Sequence, residues 1–167
     1  MPYFAAALAR SAGVWSATEV DLDEVEDLEA LAELLREMAD GDGPGLLLLE
    51  QDDEYVAVVR VDGGSGSLDE PRVFLSDRRA VQASAVAAML WEDVPVGGQD
   101  GADDDQDEGT RPVAQPVGDA ALLTDLGTSA EELLDLCAEE GLLPADVLSG
   151  LCERAGCLDA LEQVREG

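Results

Sequence analysis

The sequence predicts an α+β protein: a mostly antiparallel sheet of about five strands with helices on one face, in the order β-β-α-β-β-β-α, then an acidic linker and a small C-terminal helical segment. Three observations lead there. Two β-branched and aromatic runs, Tyr55 to Val61 and Arg72 to Leu75, flank a Gly/Ser stretch, which is the pattern of a hairpin with a long tip. Ahead of it Val25, Leu28, Leu31, Ala32, Leu35 and Met38 recur at helical spacing. Residues 93–118 break all periodicity with Pro, Gly and clustered Asp, so that 1–92 reads as a sheet domain, 93–118 as a disordered linker and 119–167 as a helical segment.

Taken in order, Tyr3 to Ala9 and Val14 to Val20 read as two strands turned by Ser11, Ala12 and Gly13. The alanine-rich first run also fits a helix; bracketing by Pro2 and Gly13 and the alternation in VWSATEV favour the strand. The amphipathic pattern gives a helix from about Val25 to Ala39, with an acid-rich first turn that suits the helix dipole. Gly41, Gly43, Pro44 and Gly45 end it, and Leu46 to Leu49 follow as a short, continuously apolar strand. In the next strand Tyr55, Ala57, Val59 and Val61 point one way and Val56, Val58 and Arg60 the other, so both faces are apolar and the strand is interior. A helix follows Asp77, with Val81, Ala85, Ala88, Met89 and Trp91 available for burial.

Beyond the linker, Ala120 to Leu126 makes a helical turn or two. Thr128 stands three residues before Glu131, the capping-box spacing, and opens a helix through Glu140 that Gly141 closes. Pro144 sits at a first helical position, Ala145 to Ala155 continue, and Cys157 to Arg165 make a last short helix. A piece this small, below roughly 70 residues, seldom holds a core alone, so it is expected to pack on the sheet domain or on a partner.

The chain has 167 residues with 39 acids, 9 bases that are all arginine and no histidine, for a formal charge of −30. Residues 55–91 sum to zero, with four acids and four bases, whereas Glu19 to Glu54 hold fifteen acids against Arg36 alone. Such a surface repels polyphosphate, which argues against direct nucleic-acid binding and favours a basic protein surface as partner. A hydrophobic fraction of 46% argues against wholesale disorder. The N-terminal MPYFAAALAR lacks a basic region ahead of its apolar run, and no stretch approaches a membrane span. A cytoplasmic location is the resulting expectation, and three cysteines without a framework spacing agree with a reducing compartment.

Absence of histidine removes the commonest general base and every His-assisted nucleophile. The H-x-E and P-C-x-x-C signature of zinc deaminases is missing, so the chain is not itself one. Cys137, Cys152 and Cys157 lack a C-x-x-C knuckle and a fourth ligand; they read as small apolar helix-face residues, with a Cys152/Cys157 redox pair as the alternative. The Asp103 to Glu108 run and Asp40 to Gly45 both fail the calcium-loop pattern, and Gly63, Gly64 and Gly66 lack the lysine and helix of a phosphate loop. Adjacent carboxylates such as Asp52/Asp53 and Glu139/Glu140 need not face each other, so no catalytic residue, cofactor or metal is assigned. Candidate partner-binding residues are the acids Glu24, Asp27, Glu33 and Glu37 on the helical face, which can steer association over a Debye length. Arg72, Arg78 and Arg79, the one basic cluster, suit a partner's carboxylate or, more readily, the chain's own acids.

Several blocks, MPYFAAALAR, VDLDEVEDLEALAELLRE, QDDEYVAVVRVD, DEPRVFLSDRRAV and the ending from LLTDLGTSAEELLDLC to LEQVRE, resemble the actinobacterial tRNA adenosine deaminase-associated proteins. The resemblance covers almost the whole chain outside the acidic linker. It implies association with the enzyme that converts adenosine to inosine in tRNA and carries over no catalytic residue. The expected function is that of a non-catalytic accessory or regulatory partner of the deaminase, acting by contact through an acidic surface. The alternative is an interaction or assembly protein unrelated to tRNA modification, whose C-terminal helices bind another partner or a second copy in a homodimer.

Overall fold

Apolar side chains on both faces of Tyr55–Asp62 call for cover on both sides. The computed structural model, which describes residues 3–11, 13–39, 44–51, 55–62, 71–77, 85–92, 117–138 and 143–166, supplies it. The strands are β1 (Tyr3–Ser11), β2 (Val14–Glu19), β3 (Pro44–Gln51), β4 (Tyr55–Asp62), β5 (Arg72–Leu75) and β6 (Val117–Gly118). They form one sheet in the order β2-β1-β3-β4-β5-β6, antiparallel at every pairing. Helices are α1 (Leu28–Ala39), α2 (Ala85–Glu92), α3 (Ala130–Ala138), α4 (Pro144–Ala155) and α5 (Leu158–Glu166), with 3-10 turns at Leu22–Glu24 and Ala120–Leu126. The predicted α+β class and antiparallel sheet are what the structure has.

Strand alternation divides the core in two. On one face Ala5, Ala7, Leu47, Leu49, Val59 and Leu75 pack against Leu28, Leu31, Ala32 and Leu35 of α1 and Ala87 and Leu90 of α2. On the other, Ala6, Leu8, Leu46, Leu48, Val58 and Phe74 meet Leu122, Leu133, Leu148, Leu151 and Leu161 of the C-terminal helices. The C-terminal segment therefore has its core against the sheet, the first of the two alternatives its small size allowed. Each large side chain buried in this way contributes about 1.5–3 kcal/mol relative to exposure. The alanines of β1 keep a strand flanked by helices on both faces thin enough for them to approach. Gly45 does the same on β3, because a Cβ there would lie 2.8 Å from the Leu35 carbonyl oxygen of α1.

Several boundaries differ from the sequence reading. The expected helix start at Val25 is displaced to Leu28, because the side chain of Asp27 accepts the Ala30 N–H at 2.9 Å and so caps the helix. Val25 is extended instead, after a 3-10 turn whose entry is fixed by Asp21 accepting the Asp23 N–H at 3.0 Å. The Tyr3 hydroxyl accepts the Leu22 N–H at 2.8 Å and ties this turn to β1. The capping box is Ser129 with Glu132, at 3.2 and 3.1 Å, and not Thr128 with Glu131. Gly127, at φ 105°, turns the chain so that the Thr128 N–H reaches the Leu123 carbonyl and Thr128 is buried. The last two residues assigned to the linker, Val117 and Gly118, pair with β5. Gly118 is at φ 105°, and a Cβ on it would lie 2.2 Å from the Val73 carbonyl oxygen. The remainder of the linker, the Gly/Ser hairpin tip and Val81 lie outside the described residues.

Candidate interaction surface and arginine clamps

Arginines hold the two layers together. Arg60 stands on β4 among the apolar residues of the second face, 6% exposed, and a guanidinium there needs partners. It donates Nη1 to the Leu122 carbonyl oxygen at 2.6 Å and to Asp125 Oδ1 at 2.5 Å, and Nη2 to Asp125 Oδ2 at 3.0 Å. The pair is bidentate, with Asp125 at the solvent end, 61% exposed. Arg72 of β5 meets Asp119 at 3.3 Å, beside the start of the same 3-10 turn. Arg165 of α5 forks onto Glu50 of β3 at 2.9 and 3.3 Å and lies over the Phe4 ring, 4.5 Å from its centroid. Arg154 of α4 pairs with Glu132 of α3 at 2.8 Å.

Among the described residues Arg60, Arg72, Arg154 and Arg165 are thus turned onto the chain's own acids, the first two and the last between the sheet and the C-terminal segment. The hydrogen bond from Arg60 holds the Asp125 carboxyl below its ordinary 3.8, with Coulomb attraction adding to it and partial burial opposing it. A depressed folded-state value means that this pair's stabilisation is complete above the ordinary carboxylate range and lost as pH falls through the lowered value. The stability gap between the protein and Asp125→Asn, read from denaturant midpoints, is therefore expected to be full at neutral pH and to narrow below about pH 3.8. A gap that stays constant into acid would contradict the clamp.

The four acids singled out from the sequence, Glu24, Asp27, Glu33 and Glu37, are all exposed. Glu33 and Glu37 share one face of α1 through their spacing of four, and Glu29 is exposed with them. Asp27 has one oxygen engaged in the helix cap. Arg72 is turned to Asp119, and Arg78 and Arg79 lie outside the described residues. Sequence reasoning missed the Arg60–Asp125, Arg165–Glu50 and Arg154–Glu132 pairs. An arginine alternating with valines on an interior strand was the available signal for the first.

Cys152 and Cys157 close α4 and open α5, both buried, and their thiols hydrogen-bond to each other. That bond, with burial, holds the Cys152 thiol above its usual range and so protonated. Cys137 on α3 is half-buried, and desolvation pushes its thiol up to about 12. The Cys157 thiol is shifted the other way, below its ordinary value, chiefly by its hydrogen bond with Cys152 and against the effect of burial.

Among the described residues no three metal-ligating side chains converge, and no helix is long and apolar enough to cross a membrane. Sheet, helical covers and clamps define an acidic α+β protein in which Arg60, Arg72 and Arg165 tie the sheet to the C-terminal segment while the acids Glu29, Glu33 and Glu37 of α1 face solvent. The chain belongs to the Rv3753c-like tRNA adenosine deaminase-associated protein family, whose model matches residues 3–158. No curated protein and no solved structure matches it.

Proposed function

We propose that this chain is a non-catalytic accessory protein of a tRNA adenosine deaminase, docking through its acidic exterior on a basic surface of the enzyme. Membership of a deaminase-associated family is the observation that carries the reading. Electrostatics supports it: an enzyme that handles tRNA needs a basic surface for the phosphate backbone, and a protein of charge −30 is attracted to such a surface. Pairing of Arg60, Arg72, Arg154 and Arg165 with the chain's own acids leaves the α1 face, with Glu29, Glu33 and Glu37, anionic and open. The acids proposed to meet the enzyme are Glu24, Asp27, Glu33 and Glu37, Asp27 with its second oxygen. Arg72 is assigned to internal pairing rather than to the partner.

Docking through the C-terminal helices has less to offer. Leu133, Leu148, Leu151 and Leu161 are committed to the core against the sheet, and among the described residues of this segment Leu134 and Leu143 are the large apolar side chains left exposed. Competition with tRNA for the same basic surface follows from the chemistry of the contact and gives the accessory protein a way to regulate access. Mixed in vitro, the two purified proteins are expected to form a complex whose affinity falls at least about tenfold between roughly 0.05 and 0.5 M salt. Reversal of Glu33 and Glu37 to lysine is expected to weaken it further at low salt. A complex indifferent to both changes would remove the acidic surface from the reading.

A further inference from the structure

The sheet has two unlike ends. At one, β6 is only two residues long, and the Asp119 N–H adds a bond to the Val73 carbonyl as the chain turns into the 3-10 helix. At the other, β2 runs for six residues and no described strand pairs with its outer side. The register of β1 with β2, together with the bond from the Val20 N–H to the Ala5 carbonyl at 2.9 Å, fixes which groups face outward. Val14, Ser16, Thr18 and Val20 direct their backbone polar groups to β1, so Trp15, Ala17 and Glu19 direct theirs away from the sheet.

Natural edges of this length are normally blunted by inward charges, proline or a bulge. Residues Val14 to Thr18 carry no charge and no proline, and Val14 is 67% exposed. One flank of β2 is covered, because Trp15 and Ala17 pack partly against the core beneath α5. The other is open, since Val14, Ser16 and Thr18 are exposed and α1 packs over β1, β3 and β4. Charge then selects the occupant: β2 ends in Glu19, and the exposed Asp21, Asp23, Glu24, Glu26 and Asp27 follow at once.

We propose that the outer edge of β2 receives an extended strand from a basic partner protein, with β-branched residues beside Val14 to Thr18 and lysine or arginine beside Glu19. This deepens the docking reading, from which it takes the basic character of the partner, and adds backbone hydrogen bonds to the steering by α1. A second copy is disfavoured as occupant by the like charge of two chains at −30 each.

The test uses the full chain, the purified deaminase and a short synthetic peptide with basic residues ahead of a valine–threonine alternation. Amide exchange of the free, monomeric protein is expected to be fast at Trp15, Ala17 and Glu19 and slow at Ser16 and Thr18. Peptide should slow the three outward amides, and a glutamate counterpart should not. Ala17→Pro removes an outward N–H without touching the ladder to β1, and Thr18→Lys adds a repelling charge on the open flank; each is expected to weaken peptide binding about tenfold. Circular dichroism and denaturant midpoints check that both variants fold.

Outward amides already slow in the free monomer, a dimer that protects them, or variants that bind as the parent does would each overturn the edge proposal. Peptide protection without any deaminase complex would support the edge and overturn the deaminase reading. A deaminase complex with β2 unprotected and no peptide effect would do the reverse.

Discussion

Asp125→Ala is expected to destabilise the protein by about 2–3 kcal/mol, because it takes the bidentate carboxylate away from the buried Arg60 guanidinium. The upper end for a broken buried pair is discounted, since Asp125 itself is largely in water. A double variant, Arg60→Met with Asp125→Ala, should recover most of that loss, because a well-packed apolar chain in the same place carries no charge to strand. Chemical denaturation of parent, both single variants and the double variant closes the cycle and gives the coupling directly. A coupling near zero would show that Arg60 is satisfied without Asp125. The consequence reaches the fold, since this pair joins β4 to the 3-10 turn that leads the C-terminal segment onto the sheet.

Phe74→Ala should cost more, about 4 kcal/mol. Phe74 on β5 is fully buried, pairs with Val58 on one side and Gly118 on the other, and fills the second core with Leu122 and Leu148. Its removal leaves a cavity between sheet and helices that neighbouring strands cannot collapse into. Loss of the sharp thermal transition, or a midpoint lowered by about 8–16 degrees at about 2–4 degrees per kcal/mol, is the expected result. A midpoint within a degree or two of the parent would mean that the C-terminal layer is not packed there.

Much of the framework was legible because it rests on short-range chemistry. Period-two alternation assigned the two faces of β4 correctly, down to Arg60 sharing a side with Val56 and Val58. The apolar run at Leu46 to Leu49 gave β3, and Pro44 and Gly45 proved to be its first residues rather than part of the preceding turn. Where two local signals competed, the tertiary structure decided. The stretch from Thr128 to Glu132 contains two overlapping capping boxes, and burial of Thr128 after the Gly127 turn selects Ser129. Asp27 likewise outranks the apolar periodicity in starting α1.

The clamps were not legible, for a physical reason. Arg60 and Asp125 are 65 residues apart, and Arg165 and Glu50 are 115 apart. With 39 acids available to 9 bases, the sequence offers every arginine many partners and the fold chooses. For the candidate surface, helical periodicity predicted the exposure of Glu33 and Glu37, while the edge of β2, which no described strand pairs, required the strand order.

The central claim, that this chain works by acidic contact with the deaminase, is tested most directly by passing the two purified proteins together through a sizing column at low and at high salt. Joint elution at low salt that resolves into separate peaks at high salt is the predicted result. Separate elution at low salt would contradict it.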